Sequence, residues 1–299
     1  MLPFYLRFFY MYKTVIKTFF IILLVSVLIL SLIPFISNKI YYITLFSFIG
    51  YFYLTLFFFK VFSKKLSTIS IVVIIFATML LLQSYTIYTW FVQDTYGMPA
   101  VVAHCLSVIS AYSYFKHKPP KNIVLFSLSS YFVIFMFLQG WDYWLHRINY
   151  GTFTGEVQAY NLPTKFEAFD EPKNIITDEN FRNKIVLLDF WTTTCGICFQ
   201  KFPQVQSVHE KYKNDTSVMI LAVNSPIEED KPNQAFNDIR EEGHSFPVVV
   251  ARDEDLAEKF GVKGYPTTFV INQNGQIVYK GGIEGAIKMV DELKRSNLQ

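Results

Sequence analysis

The chain has 299 residues, of which 52% are apolar, 18% aromatic and 17% charged, with a formal net charge of +3. So small a charge, with its lysines and arginines gathered in short clusters between apolar runs, excludes a nucleic-acid-binding surface. The three cysteines, Cys105, Cys195 and Cys198, are too few for a disulfide framework, and only the last two have C-x-x-C spacing.

From Val15 to Leu145 the chain is apolar with short polar breaks, and from Glu156 onward charged residues recur every few positions. A membrane domain over 1–147, a linker over 148–160 and a globular domain over 161–299 are therefore expected. A helix that crosses the hydrocarbon core needs about 20 apolar residues. Segments 15–36, 40–62, 66–92, 99–115 and 123–145 meet that measure, so about five transmembrane helices are expected, the fourth being the shortest and least hydrophobic. The first is too long for a signal-peptide core and has no small-residue cleavage site after it, so it is expected to remain as an anchor.

Orientation follows from the loops, because Lys and Arg are retained on the cytoplasmic side. Arg7, Lys13 and Lys17 precede the first segment, Lys60, Lys64 and Lys65 follow the second, and Lys116, Lys118 and Lys121 follow the fourth. The opposite loops carry little, Lys39 in one and Asp94 in the other. Five spans with the N-terminus inside satisfy every loop and put the C-terminal domain outside the cytoplasm. That predicts a multi-pass protein of a bacterial inner membrane. Tyr41, Tyr42, Tyr88, Trp90, Trp141, Tyr143 and Trp144 then fall at the outer interface, where aromatic residues are enriched. Within the fourth segment Ala103, Ser107 and Ala111 form a small-residue stripe that lets a neighbouring helix approach. His104 and Cys105 lie on the same span. An ionisable residue there is either a functional centre, for a quinone or a metal, or a neutral histidine bonded to a neighbouring helix beside a small apolar filler. The second reading is the simpler.

After a tether with Gly151 and Gly155 the periodicity changes. Residues 185–190 form a continuous apolar run of the kind found in a central buried strand. Cys195-Gly196-Ile197-Cys198 then opens a helical pattern to about Tyr212. A strand at 218–223, a helix at 233–242, a strand at 247–250 and a short helical stretch at 256–260 follow. Two strands, 267–271 and 276–280, are joined by Asn274-Gly275, a strong hairpin signal, and a helix at 285–295 closes the chain. Alternation of strand and helix with a late hairpin predicts an α/β domain in which helices flank a mixed sheet.

A thiolate, not a thiol, attacks disulfides. A cysteine at a helix N-terminus faces unpaired N–H groups and the positive end of the helix dipole, which favour the anion. Cys195 has that position, and Cys198, about one turn on, can resolve the mixed disulfide that forms. Cys195 is therefore the expected attacking thiol and Cys198 the resolving one. Neither metal nor cofactor is expected, since a zinc site would need a second Cys/His pair and His209 and His244 stand apart.

The run Asp189-Phe190-Trp191-x-x-x-Cys195-x-x-Cys198, Pro203 beyond it, and Gly264-Tyr265-Pro266-Thr267-Thr268-Phe269 closely resemble the thioredoxin superfamily. Ala222-Val223-Asn224 and Phe246-Pro247-Val248-Val249 make membrane-anchored thiol:disulfide oxidoreductases of the TlpA/ResA type the nearest likeness. The resemblance covers about half the chain, and the membrane half resembles no family. It implies that Pro266 is a cis-proline and that the Tyr265 backbone offers hydrogen bonds to a substrate chain. It implies that Asp189 is the buried acid that assists proton transfer at Cys198 and that Trp191 packs beneath the motif. Pro203 matches a helix-kinking proline. Thr194 stands where thioredoxin itself has a second tryptophan, so the surface offered to substrate is smaller and more polar. Lys201 replaces the glutamate that ResA-like proteins carry three residues after the second cysteine, leaving Asp189 as the acid.

A reductase of extracytoplasmic protein disulfides, with apocytochrome c cysteines or a partner oxidoreductase as substrate, is the leading expectation, with oxidase or isomerase action by the same pair as its close variant, because the Gly196-Ile197 dipeptide does not fix the redox potential. The partners expected are a protein thiol or disulfide, a membrane redox protein supplying electrons, and the bilayer. Two alternatives stand beside it. Thr192-x-x-Cys195 is similar to the peroxiredoxin element and suggests a thiol peroxidase, although position 188 is Leu where the accompanying proline is expected. Alternatively the spans transport or scaffold something and the redox domain regulates it. Several spans with an outer thioredoxin domain resemble bacterial vitamin K epoxide reductase homologues and electron-conducting transmembrane reductases. Both of those need cysteine pairs in their helices, and Cys105 alone cannot cycle as a dithiol.

Overall fold

The computed structural model describes residues 4–36, 40–84, 87–88 and 97–296. Lys39, Trp90, Asp94 and the far end of the 66–92 segment lie outside them. The chain divides into two compact units, Met1–Trp144 and Leu145–Gln299.

The first unit is helical: α1 (Phe4–Ile36), α2 (Ile40–Phe62), α3 (Thr68–Leu82), α4 (Met98–Lys116) and α5 (Lys121–Phe135). A π-helical turn at Met136–Gly140 then joins α5 to α6 (Trp141–Tyr150). Among the described residues, Tyr41–Phe62, Met98–Lys116 and Lys121–Tyr150 are long and apolar enough to cross a membrane, and Thr68–Leu82 is a shorter apolar helix. Helix α3 begins after the expected segment does because the Ser67 side chain caps it, accepting from the Ser70 N–H at 3.0 Å. Ala103, Ser107 and Ala111 are completely buried, and the Ser107 hydroxyl donates to the Phe48 carbonyl at 2.6 Å. That close approach of α4 to α2 is what small side chains permit. His104 is also buried, with Gln83 at one ring nitrogen and the Ser47 hydroxyl 2.6 Å from the other. Both nitrogens thus have partners on neighbouring segments, as the simpler reading of His104 requires.

The second unit is a mixed eight-stranded sheet in the order β1-β8-β7-β4-β5-β6-β2-β3, flanked by helices. Its strands are β1 (Glu156–Asn161), β2 (Glu167–Phe169), β3 (Ile175–Thr177), β4 (Ile185–Trp191), β5 (Val218–Asn224), β6 (Val248–Ala251), β7 (Thr267–Ile271) and β8 (Gln276–Gly281). Its helices are α7 (Gly196–Tyr212), α8 (Gln234–Glu241), α9 (Leu256–Lys259) and α10 (Ile283–Ser296). This is the expected α/β class. Strand β4 runs parallel to β5 and antiparallel to β7, at the centre of the sheet. All seven of its residues are buried, which is why its sequence is continuously apolar apart from Asp189. Side chains alternate across a strand. Ile185, Leu187 and Trp191 pack with Phe202, Val205 and Ala286 on one face, and Val186, Leu188 and Phe190 pack with Phe166, Phe181 and Phe260 on the other.

Part of the expected linker is ordered secondary structure. Helix α6 continues to Tyr150, and β1 occupies Glu156–Asn161, paired antiparallel with β8. As an edge strand with mostly exposed side chains, β1 lacks the apolar alternation that would have marked it.

Candidate active site

Strand β4 ends at Trp191 and the chain turns directly into α7. Cys195 is the N-cap of that helix: its Sγ accepts from the Cys198 N–H at 3.2 Å, and its carbonyl accepts from the same N–H at 2.9 Å. A disulfide joins Cys195 to Cys198. The two sulfurs differ in access. Cys198 is 0% exposed, whereas Cys195 is partly exposed and the intervening Ile197 is 59% exposed. Pro203 lies inside α7 and has no N–H for the Phe199 carbonyl.

Beneath the motif Trp191 is fully buried, with its ring edge-on to Phe202 at 5.0 Å and to Phe199 at 5.9 Å. Cys195, Cys198, Trp191 and Tyr265 belong to one apolar cluster. The Tyr265–Pro266 peptide is cis, and the Tyr150 hydroxyl stands 3.5 Å from the Pro266 carbonyl. Thr194 is exposed at the rim beside Cys195.

Asp189 shares its strand face with Leu187 and Trp191, so its carboxyl enters the layer beneath α7 and α10. Oδ1 accepts from the Thr268 hydroxyl at 2.7 Å, and Oδ2 is buried with no partner among the described residues. Burial pushes this carboxyl from its ordinary 3.8 up to about 6; the Thr268 bond pulls it down and the Glu284 charge adds to the rise. Glu284, in the first turn of α10, is ion-paired with Lys201, one turn past Cys198 on α7. Burial acts to raise the Glu284 carboxyl, and the Lys201 hydrogen bond and charge more than offset it, so the group lies below its ordinary range.

Sequence reasoning missed Glu284 and the anchor of the loop before the motif. There the Thr193 hydroxyl donates to Oδ1 of Asp230, whose Oδ2 accepts from the Ile227 N–H at 3.0 Å. These partners lie 83 and 37 residues from Lys201 and Thr193, and no local pattern couples residues so far apart. A groove of about 540 Å³ lined by Asn224, Ile227, Asp230 and Phe236 lies at the ends of β5 and β6 beside this anchor. A larger cavity, about 760 Å³, is lined by Asn161, Phe181 and Asn274. It sits at the other end of β7 from Pro266 and takes no part in the site.

The sequence family described as Redoxin matches residues 159–292. The chain is 35% identical over 111 residues to the thiol-disulfide oxidoreductase ResA of Halalkalibacterium halodurans, covering 36% of this chain and 60% of that protein. It is 32% identical over 120 residues to the ResA of Bacillus subtilis, covering 38% of this chain and 65% of that one. The chain thus spans less than two thirds of the curated relatives it matches. A solved thiol:disulfide interchange protein from Bacteroides sp. aligns at 21% identity with a TM-score of 0.40, over 46% of this chain and 90% of that one. With the disulfide at the cap of α7 and the sheet behind it, the C-terminal domain is a thioredoxin-fold domain that matches the Redoxin family and is similar to the ResA thiol-disulfide oxidoreductases, joined in this chain to helices of membrane-spanning length.

Proposed function

We propose that the chain is a membrane-anchored reductase of protein disulfides that works by dithiol exchange at Cys195 and Cys198. In the reduced protein the Cys195 thiolate attacks a substrate disulfide, forming the Cys195–substrate bond and expelling the first substrate sulfur as a thiolate. Cys198 then passes its proton to the Asp189 carboxylate and attacks Sγ of Cys195. The intramolecular disulfide closes, and the second substrate sulfur leaves as a thiolate that takes its proton from water. Two electrons go from the dithiol to the substrate, and a membrane redox protein must return them. Tyr265, Pro266 and Thr194 form the surface against which the substrate chain lies, with the Tyr265 backbone as its hydrogen-bonding edge, and Trp191, expected to touch substrate, is fully buried and supports that surface from beneath.

The observation that carries this reading is the contrast between the two sulfurs, Cys195 at a helix cap with partial access and Cys198 wholly buried. The reductive direction is supported by the environment of Cys198. Closing the disulfide removes the ionisable Cys198 thiol from the apolar layer, whereas opening it restores that thiol to the layer that also holds the buried Asp189. The loop charges support a cytoplasmic N-terminus and a redox domain on the outer side, where oxidised proteins such as apocytochrome c occur.

Trapping tests the whole. In native membranes, Cys198→Ser should accumulate a covalent substrate adduct at Cys195, and a membrane-impermeant maleimide should label reduced Cys195 from outside. A reduction potential near that of strong oxidants would reverse the assigned direction. Peroxide turnover without any recovered adduct would replace the reading with a peroxidase.

A further inference from the structure

We propose that Glu284, held by Lys201, is a positioning residue that controls proton transfer between Cys198 and Asp189. The inference rests on the dithiol-exchange reading and adds to it a control that comes from the last helix of the fold rather than from the motif.

The geometry is that of a closed layer with one charged lid. Asp189 lies on the face of β4 that packs against α7 and α10, and across its neighbouring strands stand Ala222 on β5 and Thr268 on β7. Thr268 donates to one carboxyl oxygen, and among the described residues none donates to the other. Among the described residues, the ionisable groups at this layer include Cys198 and Lys201 from α7, Glu284 from α10, Tyr279 from β8, and Tyr265 and Tyr150 beside them. Tyr279 is buried, donates to the Gly282 carbonyl at 2.9 Å, and is pushed well above its ordinary value by burial together with Tyr150 and Glu284. It therefore stays neutral, and the charge that acts on Asp189 is that of Glu284, which Lys201 pairs. Lys201 and Glu284 are only partly covered, with 35% and 51% of their side chains exposed, and they are bonded to each other. Asp189, by contrast, is buried. Because Ile283 and Ala286 on either side of Glu284 are buried in the same cluster as Cys198 and Trp191, the backbone of α10 fixes where the Glu284 charge stands.

The two lid charges are opposite in sign. Glu284 disfavours the Asp189 carboxylate, and Lys201, bonded to Glu284, offsets that charge. Glu284→Gln removes the first and frees the second, so the Asp189 midpoint should fall. Lys201→Met does the reverse, and the midpoint should rise. Each displacement should be roughly half a pH unit, the size appropriate to a partly exposed ion pair.

The test uses the full chain in lipid nanodiscs. The Asp189 carboxylic C=O stretch, identified by its loss in Asp189→Asn, is titrated by difference infrared spectroscopy in the reduced protein. In parallel, decay of the mixed disulfide formed with a glutathionylated peptide is followed against pH. Opposite displacements in Glu284→Gln and Lys201→Met, with matching movements of the decay profile and recovery of the wild-type values in Lys201→Arg, are expected. Unmoved midpoints, or displacements of the same sign, overturn the inference, because a merely structural pair would not sort the variants by charge. Failure of the wild-type protein to form the mixed disulfide would instead remove the exchange reading, while the infrared titration still reports on the lid.

Discussion

The Thr268 hydroxyl donates to Asp189 at 2.7 Å between two residues that are register partners on adjacent antiparallel strands. One neutral donor thus restrains a carboxyl whose second oxygen has none among the described residues. In the disulfide form the carboxyl titrates at about 6 rather than 3.8. The folded chain then holds a proton that the unfolded chain releases, so stability is full below pH 4, declines between about pH 4 and 6, and is level above that. Asp189→Asn should remove the decline, making the oxidised protein about 2–3 kcal/mol more stable than wild type at pH 7, with no such gap below pH 4. Hydrogen-exchange protection of the β4 amides at the two pH values measures it. Thr268→Val should push the carboxyl higher by roughly one unit, since a bond to the charged form is lost.

Phe202 tests the packing beneath the motif. It is fully buried against Trp191, Phe199 and Phe246. Phe202→Ala should cost about 3–5 kcal/mol in transfer and cavity terms, read as a lowered unfolding midpoint in denaturant. In the reduced variant Cys198 should also become alkylated faster, because the void opens next to its helix.

Gly285 reverses a usual rule. In a helix interior Gly→Ala stabilises by about 1 kcal/mol, but a Cβ at Gly285 would come within 2.1 Å of the Tyr279 hydroxyl. Gly285→Ala should therefore destabilise the domain, and adding Tyr279→Phe should recover part of the loss. Thermal melts of the single and double variants compare them directly.

The Thr193–Asp230 anchor is expected to matter for turnover more than for folding. Asp230→Ala removes the acceptor of both Thr193 and the Ile227 N–H. Exchange with a protein substrate should slow several-fold while exchange with a small disulfide changes little, because only the larger partner leans on the loop beside the motif. A comparison of the two rates decides it.

Much of this was legible in the chain itself. The run at 185–190, the C-x-x-C spacing and the Asn274-Gly275 turn each carry a local physical signal, and each lies where the structure has β4, the capped helix α7 and the β7–β8 connection. Strands β1, β2 and β3 were not legible. They are short, and β1 and β3 are largely or partly exposed, so no apolar period marks them. Glu284 escaped for a different reason. Its meaning comes from Lys201, and only the packing of α10 on α7 brings the two together. Lys201 itself was visible as a departure from the ResA pattern, but its consequence could not be seen until a carboxylate from elsewhere was found bonded to it.

The two outer rims of the sheet have one more consequence. At one rim β1 has an irregular register between Glu156 and Tyr160, and at the other β3 is only three residues long. Neither offers a long, straight row of free amides and carbonyls onto which a foreign strand could zip. Strands left unpaired on another chain thus find no template for aggregation along either margin of this domain.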